Sequence, residues 1–340
     1  MHSYFFQPEV VRVALVVGVV VSMLFYERVQ LTTGGAIVPA YLALHLPAPL
    51  YVLTTLLIGY LTYLLVSVVL ARRLILYGRR KFEVEVLVGL ALTAVASVVG
   101  SRLGGLDPVL LGLSGIGFLV PGVLAHDMVR QRPGKTLFAV LVTTGILGLF
   151  TYVYTSLLAI APVQLPQPVR GPDPGSVGFP PELLLGAALT SVLIGMLVFA
   201  RLRLRSGGFI TGAYLALVAP RWPDVVFAVV LAVATWAVVV HLLMPRLLLF
   251  GRRKLSTMVL VGAVLTWAAE IAVTEVTGGT YEPWSGLTII TLMVPALLAN
   301  DAQRQGWERT AWGAGITTLG VYGVMNLAAA VGLSTGLLSS

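Results

Sequence analysis

The chain has 340 residues, 58% of them hydrophobic and only 11% charged, against about 45–50% and about 25% in soluble domains. That balance excludes a soluble globular protein and points to an integral membrane protein. The 22 Lys+Arg against 14 Asp+Glu give a net charge of +8, and the absence of cysteine, with only four histidines, excludes disulfides, thiolate metal sites and a Cys nucleophile.

Apolar runs recur at 10–26, 31–46, 50–71, 84–100, 109–125 and 137–160, and again from Leu183 onward. The first is interrupted only by Arg12, has no basic segment ahead of it and no small-residue cleavage site behind it, so it is expected to stay as a span. Runs 31–46 and 109–125 are marginal for a span of about 20 residues. One carries Gly34, Gly35 and Pro39, the other Gly112, Gly115, Gly117, Pro121 and Gly122. Charge decides whether they cross. Basic segments belong on the cytoplasmic side, and Arg72-Arg73, Arg79-Arg80-Lys81 and Arg130 to Lys135 all lie there, with the N-terminus outside, only if both short runs cross. Six crossings follow for residues 1–160, two of them by broken or tilted segments. Residues 161–181 hold Pro162, Pro166, Pro168, Pro172, Pro174, Pro180 and Pro181. That composition predicts an extracytoplasmic linker.

The chain then repeats itself. Gly34-Gly35-Ala36-Ile37-Val38-Pro39-Ala40-Tyr41-Leu42-Ala43-Leu44 aligns with Gly207-Gly208-Phe209-Ile210-Thr211-Gly212-Ala213-Tyr214-Leu215-Ala216-Leu217 at an offset of 173 residues. At the same offset Leu76 to Lys81 meets Leu249 to Lys254, and one residue later Val120-Pro121 to Asp127 meets Val294-Pro295 to Asp301. Such duplication is a recurrent way of building membrane proteins. The expected fold is all-α: a polytopic membrane protein of two tandem repeats, 1–160 and 182–340, each with about six membrane-crossing segments. Both Gly-Arg-Arg-Lys loops should be cytoplasmic, so each repeat crosses an even number of times. The halves are then parallel, related by a pseudo-twofold along the membrane normal, with both termini extracytoplasmic.

Several residues are candidates for function. Arg72, Arg73, Arg79, Arg80 and Lys81, with Arg246, Arg252, Arg253 and Lys254, serve either to anchor lipid headgroups or to dock a partner or polyanion, since guanidinium pairs bidentately with carboxylate or phosphate. Glu27-Arg28 closes the first span; it is a local pair or a pathway charge, and the second copy has Ala200-Arg201 there. The breaks at Gly34, Gly35, Pro39 and Pro121, and at Gly207, Gly208 and Pro295, expose backbone groups that lipid cannot satisfy, so they mark either a pathway or close packing through small residues. Asp127 with Arg130, and Asp301 with Arg304, are spaced as pairs at cytoplasmic helix ends. Glu270, late in a span, is expected to reach water. Gly134-Lys135-Thr136 lacks the earlier glycine of a phosphate-binding loop, where Val129 stands instead. No catalytic set, metal cluster or nucleic-acid motif emerges.

The ordered blocks resemble the membrane subunit of poly-γ-glutamate synthase, the PgsC/CapC family. In the first copy the likeness rests on Glu27-Arg28, Val38-Pro39, Tyr41 to Leu44, Ile75 to Phe82, Gly115-Ile116-Gly117 and Val120-Pro121-Gly122. In the second it rests on Tyr214 to Leu217, Gly251 to Lys254, and Val294-Pro295 through Asn300 to Gln303-Arg304-Gln305-Gly306. A family member is usually a single unit, so the doubling here suggests a fused pair. Ala200 and Gly212 replace the motif Glu and Pro, which points to a structural second half. The resemblance implies a non-catalytic subunit in a bacterial or archaeal plasma membrane, without a cofactor of its own. Its implied partners are a PgsB/CapB-like ATP-dependent amide ligase that uses ATP and Mg²⁺, a PgsA/CapA-like subunit, the poly-γ-glutamate polymer, membrane lipid and further copies of the chain. The chain would anchor the ligase and form the polymer conduit. An independent secondary transporter for a small organic anion, and a purely structural anchor, are the alternative readings.

Overall fold

The computed structural model describes residues 6, 8–73, 75, 78–104, 117, 119–160, 177–284 and 287–334. Most of the Pro-rich stretch expected as a linker, with Gly112 and Gly115, lies outside the described residues. Among those described, the secondary structure is helical throughout, as lipid requires of a chain that must satisfy its own backbone. The chain divides into two compact units, 2–167 and 168–340.

The first unit runs α1 (Pro8–Val29), α2 (Val38–Ala43), α3 (Pro49–Leu64, extended by a wide turn to Val69 and a tight one to Arg72), α4 (Gly78–Gly104), α5 (Val120–Gln131) and α6 (Pro133–Ile160). The second repeats this order with α7 (Leu184–Leu202), α8 (Thr211–Val218), α9 (Trp222–Ala237, with its own wide turn Val238–Leu243), α10 (Gly251–Val276), α11 (Thr288–Gln305) and α12 (Trp307–Ser334). The wide π-type turns begin at Leu65 and Val238, 173 residues apart. Duplication therefore extends to local irregularity.

Eight helices are long and apolar enough to cross a membrane: α1, α3, α4 and α6, then α7, α9, α10 and α12. The shorter helices α2, α5, α8 and α11 pack among them. In the first unit, Thr32 bonds Gln131 and Glu85 bonds His126, so the end of α1, the start of α4 and the end of α5 share one end of the bundle. Ala40 lies half-way up, where a Cβ on Gly18 would meet its Cβ at 2.5 Å and Leu147 Cδ1 at 3.4 Å. The chain then enters α3 at the far end. In the second unit α11 is one helix of 18 residues, about 27 Å long, with Pro295 inside it.

Packing follows from small residues and self-satisfied hydroxyls. A Cβ on Gly122 would lie 2.6 Å from Val86 Cα, and one on Gly89 2.8 Å from Gly122 N, so α4 and α5 touch backbone to backbone. Several buried threonines return their hydroxyl to the carbonyl four residues earlier, as Thr62 does to Ile58 at 2.7 Å and Thr317 to Gly313 at 2.8 Å. These threonines add no unsatisfied donor to the apolar interior.

The basic motif differs from the expected loop. Gly78 and Gly251 adopt φ +56° and +55° and open α4 and α10 directly, so Arg79, Arg80 and Lys81, and Arg252, Arg253 and Lys254, form first helical turns. In α4 the Arg79 Nε to Glu83 Oε1 pair at 2.6 Å supports this start across one turn. Cations at a helix N-terminus oppose the helix dipole, which is why sequence alone favours a loop there.

Candidate functional site

The two Gly-Gly breaks build the same small structure twice. Gly34 and Gly35 have φ +76° and +104°, and Gly207 and Gly208 have φ +78° and +104°, a backbone that side-chain-bearing residues rarely adopt. The turn ends the approach from α1 or α7 and re-aims the chain into a short helix half-way up the bundle. Its exposed backbone groups are met by the last turns of α5 and α11. Asp127 Oδ2 accepts from Gly34 N at 3.0 Å, and Asp301 Oδ2 from Gly207 N at 3.1 Å. Gln131 accepts from Thr32 N at 2.7 Å and donates to Thr32 O at 2.6 Å and Thr136 Oγ1 at 3.0 Å. Gln305 does the same with Arg205 N and O, both at 2.9 Å, and with Thr310 Oγ1 at 3.0 Å. Thr33 and Ser206 complete each turn by donating to Gly35 O and Gly208 O at 3.2 and 3.3 Å. Asp127 and Asp301 thus hold the breaks, a role their spacing from Arg130 and Arg304 did not reveal.

The repeats diverge beside this latch. In the first, Glu85 is fully buried and its Oε2 lies 2.7 Å from His126 Nδ1, while the His126 ring packs against Phe82 at 4.4 Å between centroids. The equivalent positions in the second repeat are Met258 and Asn300. There Lys254 bonds Gln303, and Arg205 Nη1 lies 3.8 Å from Asp301 Oδ1.

The expected site residues fall into three groups. Arg72, Arg73, Arg80, Arg130, Arg246, Arg253 and Arg304 are exposed, Arg79, Lys81 and Arg252 half-buried, and Lys254 buried with its ammonium bonded to Gln303. Glu27 and Arg28 are exposed at the end of α1. Gly34, Pro39, Pro121, Gly207 and Pro295 are buried, Gly35 and Gly208 half-buried. Glu270, expected near water, is 5% exposed; its helix continues to Val276 and carries it below the surface.

At the opposite end the second repeat carries a further polar cluster. Asp224, fully buried, accepts from the Tyr281 hydroxyl at 2.6 Å and from Trp284 N at 3.2 Å, with Arg221 Nε 3.0 Å away. Trp284 Nε1 donates to Asp224 O at 2.8 Å. Burial, then the bond to Asp224, raises the Tyr281 pKa above its ordinary value and keeps the phenol a donor. This ties the segment after α10 to the start of α9.

Charge is segregated in the same way in both repeats. Of the 21 lysines and arginines among the described residues, all but Arg12, Arg102 and Arg221 belong to the latch end of their repeat. Among the described residues no group of three or more His, Asp or Glu is arranged to hold a metal ion.

The family model for capsule biosynthesis CapC matches the chain twice, over residues 17–137 and 190–311. The capsule biosynthesis protein CapC of Bacillus anthracis is 35% identical over 137 residues, 39% of this chain and 87% of that protein. The PGA biosynthesis protein CapC of Bacillus subtilis (strain 168) is 33% identical over 143 residues, 42% of this chain and 93% of that protein. No solved structure matches the chain. Each relative is matched nearly whole by less than half of the sequence, and each matched segment here contains one Gly-Gly turn, one basic helix start and one Asp anchor. On both halves, then, the chain belongs to the capsule biosynthesis CapC family.

Proposed function

We propose that this chain is the non-catalytic membrane subunit of a poly-γ-glutamate synthesis and export complex, holding an ATP-dependent amide ligase at the membrane and giving the polymer its path. The family carries the role in capsule and poly-γ-glutamate biosynthesis. The observation that supports the finer reading is the gathering of exposed arginines at one end of each repeat. By the charge rule that end is cytoplasmic, where ATP and Mg²⁺ are available to a ligase and where a polycarboxylate would first meet the membrane. An even number of crossings in each repeat leaves both termini outside. A cationic end concentrates a polyanion electrostatically, and the short-range work falls to Arg79, Arg80, Arg252 and Arg253 on the first turns of α4 and α10, flanked by Arg72, Arg73 and Arg246.

The test is charge reversal at Arg79, Arg80, Arg252 and Arg253, leaving buried Lys254 alone. The variant should insert and stay folded yet lose co-purification with the ligase or lose polymer output. A folded variant with normal assembly and output overturns the assignment. Uptake of a small organic anion by the purified chain in liposomes, with no ligase present, would favour the transporter instead.

A further inference from the structure

The two repeats fill the space beside their short helix differently. In the first, Leu137 and Val140 of α6 belong to one apolar cluster with Val52 and Leu56 of α3 and Leu124 of α5. The equivalent positions in the second repeat are Ala311 and Ala314 of α12, Val225 and Val229 of α9, and Leu298 of α11. There the space stays open as a cavity of about 420 Å³, lined by residues of the second repeat alone. Bulk is not simply lost, because Pro133 and Gly145 of the first repeat correspond to Trp307 and Leu319 of the second. It is moved from the middle of the space to its two ends. Between those ends Ala311, Ala314 and Gly315 leave the α12 wall low, and a Cβ on Gly315 would meet nothing within 4 Å.

Shape and position identify the occupant. From Trp307 to Leu319 the lane follows α12 for about 18 Å, close to the depth of one leaflet of a hydrocarbon core about 30 Å thick. Spread over that length, about 420 Å³ gives a section of about 23 Å², about 5 Å across. Carbon atoms in contact lie about 3.5–4.0 Å apart, so one extended hydrocarbon chain fits. A helix, about 10–12 Å across with its side chains, does not. Apart from Thr310, bonded to Gly306 O at 2.9 Å, and Thr318, the lining is apolar. One end is marked by Trp307, whose ring meets that of Trp236 edge-on at 5.9 Å between centroids. Paired tryptophans suit the level at which headgroup gives way to chain, and Pro133 and Tyr63 stand in their places in the first repeat. We propose that this lane is a binding site for one acyl chain of a membrane phospholipid, held between α9 and α12 against Leu215 of α8 and Leu298 of α11. The acyl chain takes the space that Leu137 and Val140 fill in the first repeat. Lipid gives no hydrophobic preference for one apolar surface over another, so the chain is held by dispersion contacts along a lane of matching width.

The experiment uses the full chain in nanodiscs of phosphatidylcholine, a trace of which carries a diazirine midway along one acyl chain. After photolysis, mass spectrometry compares labelling of the lane floor, Ala232, Leu298 and Ala314, with that of the first-repeat equivalents Gly59, Leu124 and Val140. All six are buried within the protein, so bulk lipid reaches none of them. The second-repeat floor should be labelled at least about fivefold more, the contrast expected between an open lane and a close-packed core. Ala311→Leu/Ala314→Val installs the side chains of the first repeat and should lower labelling of Ala232 and Leu298 to the first-repeat level. Gly323→Leu, on exposed α12 surface outside the lane, should leave it unchanged. Equal labelling of the two repeats in the wild type, or an undiminished signal in the folded double variant, overturns the site; the wild-type comparison decides alone if the double variant does not fold. A dimer that the double variant dissociates, with the floor unlabelled in the wild type, would assign the lane to a second copy of the chain and also overturn it. No ligase or polymer is present, so the outcome is independent of any role in polymer synthesis.

Discussion

Replacing Gln131 with Ala removes three hydrogen bonds, to Thr32 N, Thr32 O and Thr136 Oγ1, at 2.7, 2.6 and 3.0 Å. Two of these satisfy a backbone N–H and C=O in the irregular segment after α1, where no helix supplies partners. An unsatisfied buried group costs about 1–3 kcal/mol. Thr32 and Gln131 are half-buried, so the lower part of that range applies, giving about 2–3 kcal/mol for the pair. Gln131→Glu keeps one acceptor but sets a carboxylate oxygen against Thr32 O, and should cost at least as much. Because the lost bonds are local, the segment around residues 30–36 should open first. Amide hydrogen exchange in nanodiscs should accelerate there by about thirtyfold for 2 kcal/mol, with denaturant unfolding reporting the global loss. Gln305→Ala, which breaks the same three bonds in the second repeat, should give the same result around 203–209. A change below about 0.5 kcal/mol with unaltered exchange, within the range of ordinary surface substitutions, would refute the latch.

Arg132 has φ +76° and ψ +146°, while its counterpart Gly306 has φ +88° and ψ +159°. Arg132→Gly should therefore stabilise the first repeat by about 1–3 kcal/mol through relief of backbone strain, seen as a higher unfolding midpoint; a lower midpoint would contradict that conformation. Gly122→Ala places a Cβ 2.6 Å from Val86 Cα and should separate α4 from α5 at a cost of about 1–3 kcal/mol, whereas Gly145→Ala, which meets nothing within 4 Å, should be near neutral. Equal effects of the two would argue against the backbone contact. Asp224→Ala should loosen the segment 277–284 to proteolysis while leaving the latch end unchanged, because it removes the carboxylate that accepts from the Tyr281 hydroxyl and Trp284 N at the far end alone; protection at 277–284 equal to the wild type would oppose this.

Much of the architecture was legible in the sequence because it rests on composition and repetition. Apolar length located the long helices, and the internal alignment located both Gly-Gly turns, whose backbone angles agree within a few degrees. The latch itself was not legible. Gln131 and Thr32 are separated by 99 residues, and Gln305 and Arg205 by 100; a glutamine carries no charge or periodicity to announce such a bond. The one available signal was the recurrence of Gln131 and Thr136 as Gln305 and Thr310 at the same spacing. Asp127 and Asp301 were singled out, but local spacing drew attention to the nearby arginines rather than to a backbone N–H across the bundle. The buried pairing of Glu85 with His126 likewise depends on the α4–α5 contact that Gly122 permits. The basic helix starts were missed because their charge opposes the dipole, which in α4 the Arg79–Glu83 pair offsets.

The most direct test of the central claim is co-expression of this chain with the amide ligase, purification of the complex, and ATP-dependent glutamate polymerisation with and without the chain. The account predicts a stable complex and γ-linked polymer formed only when both are present. A folded chain that neither retains the ligase nor alters its output would contradict it.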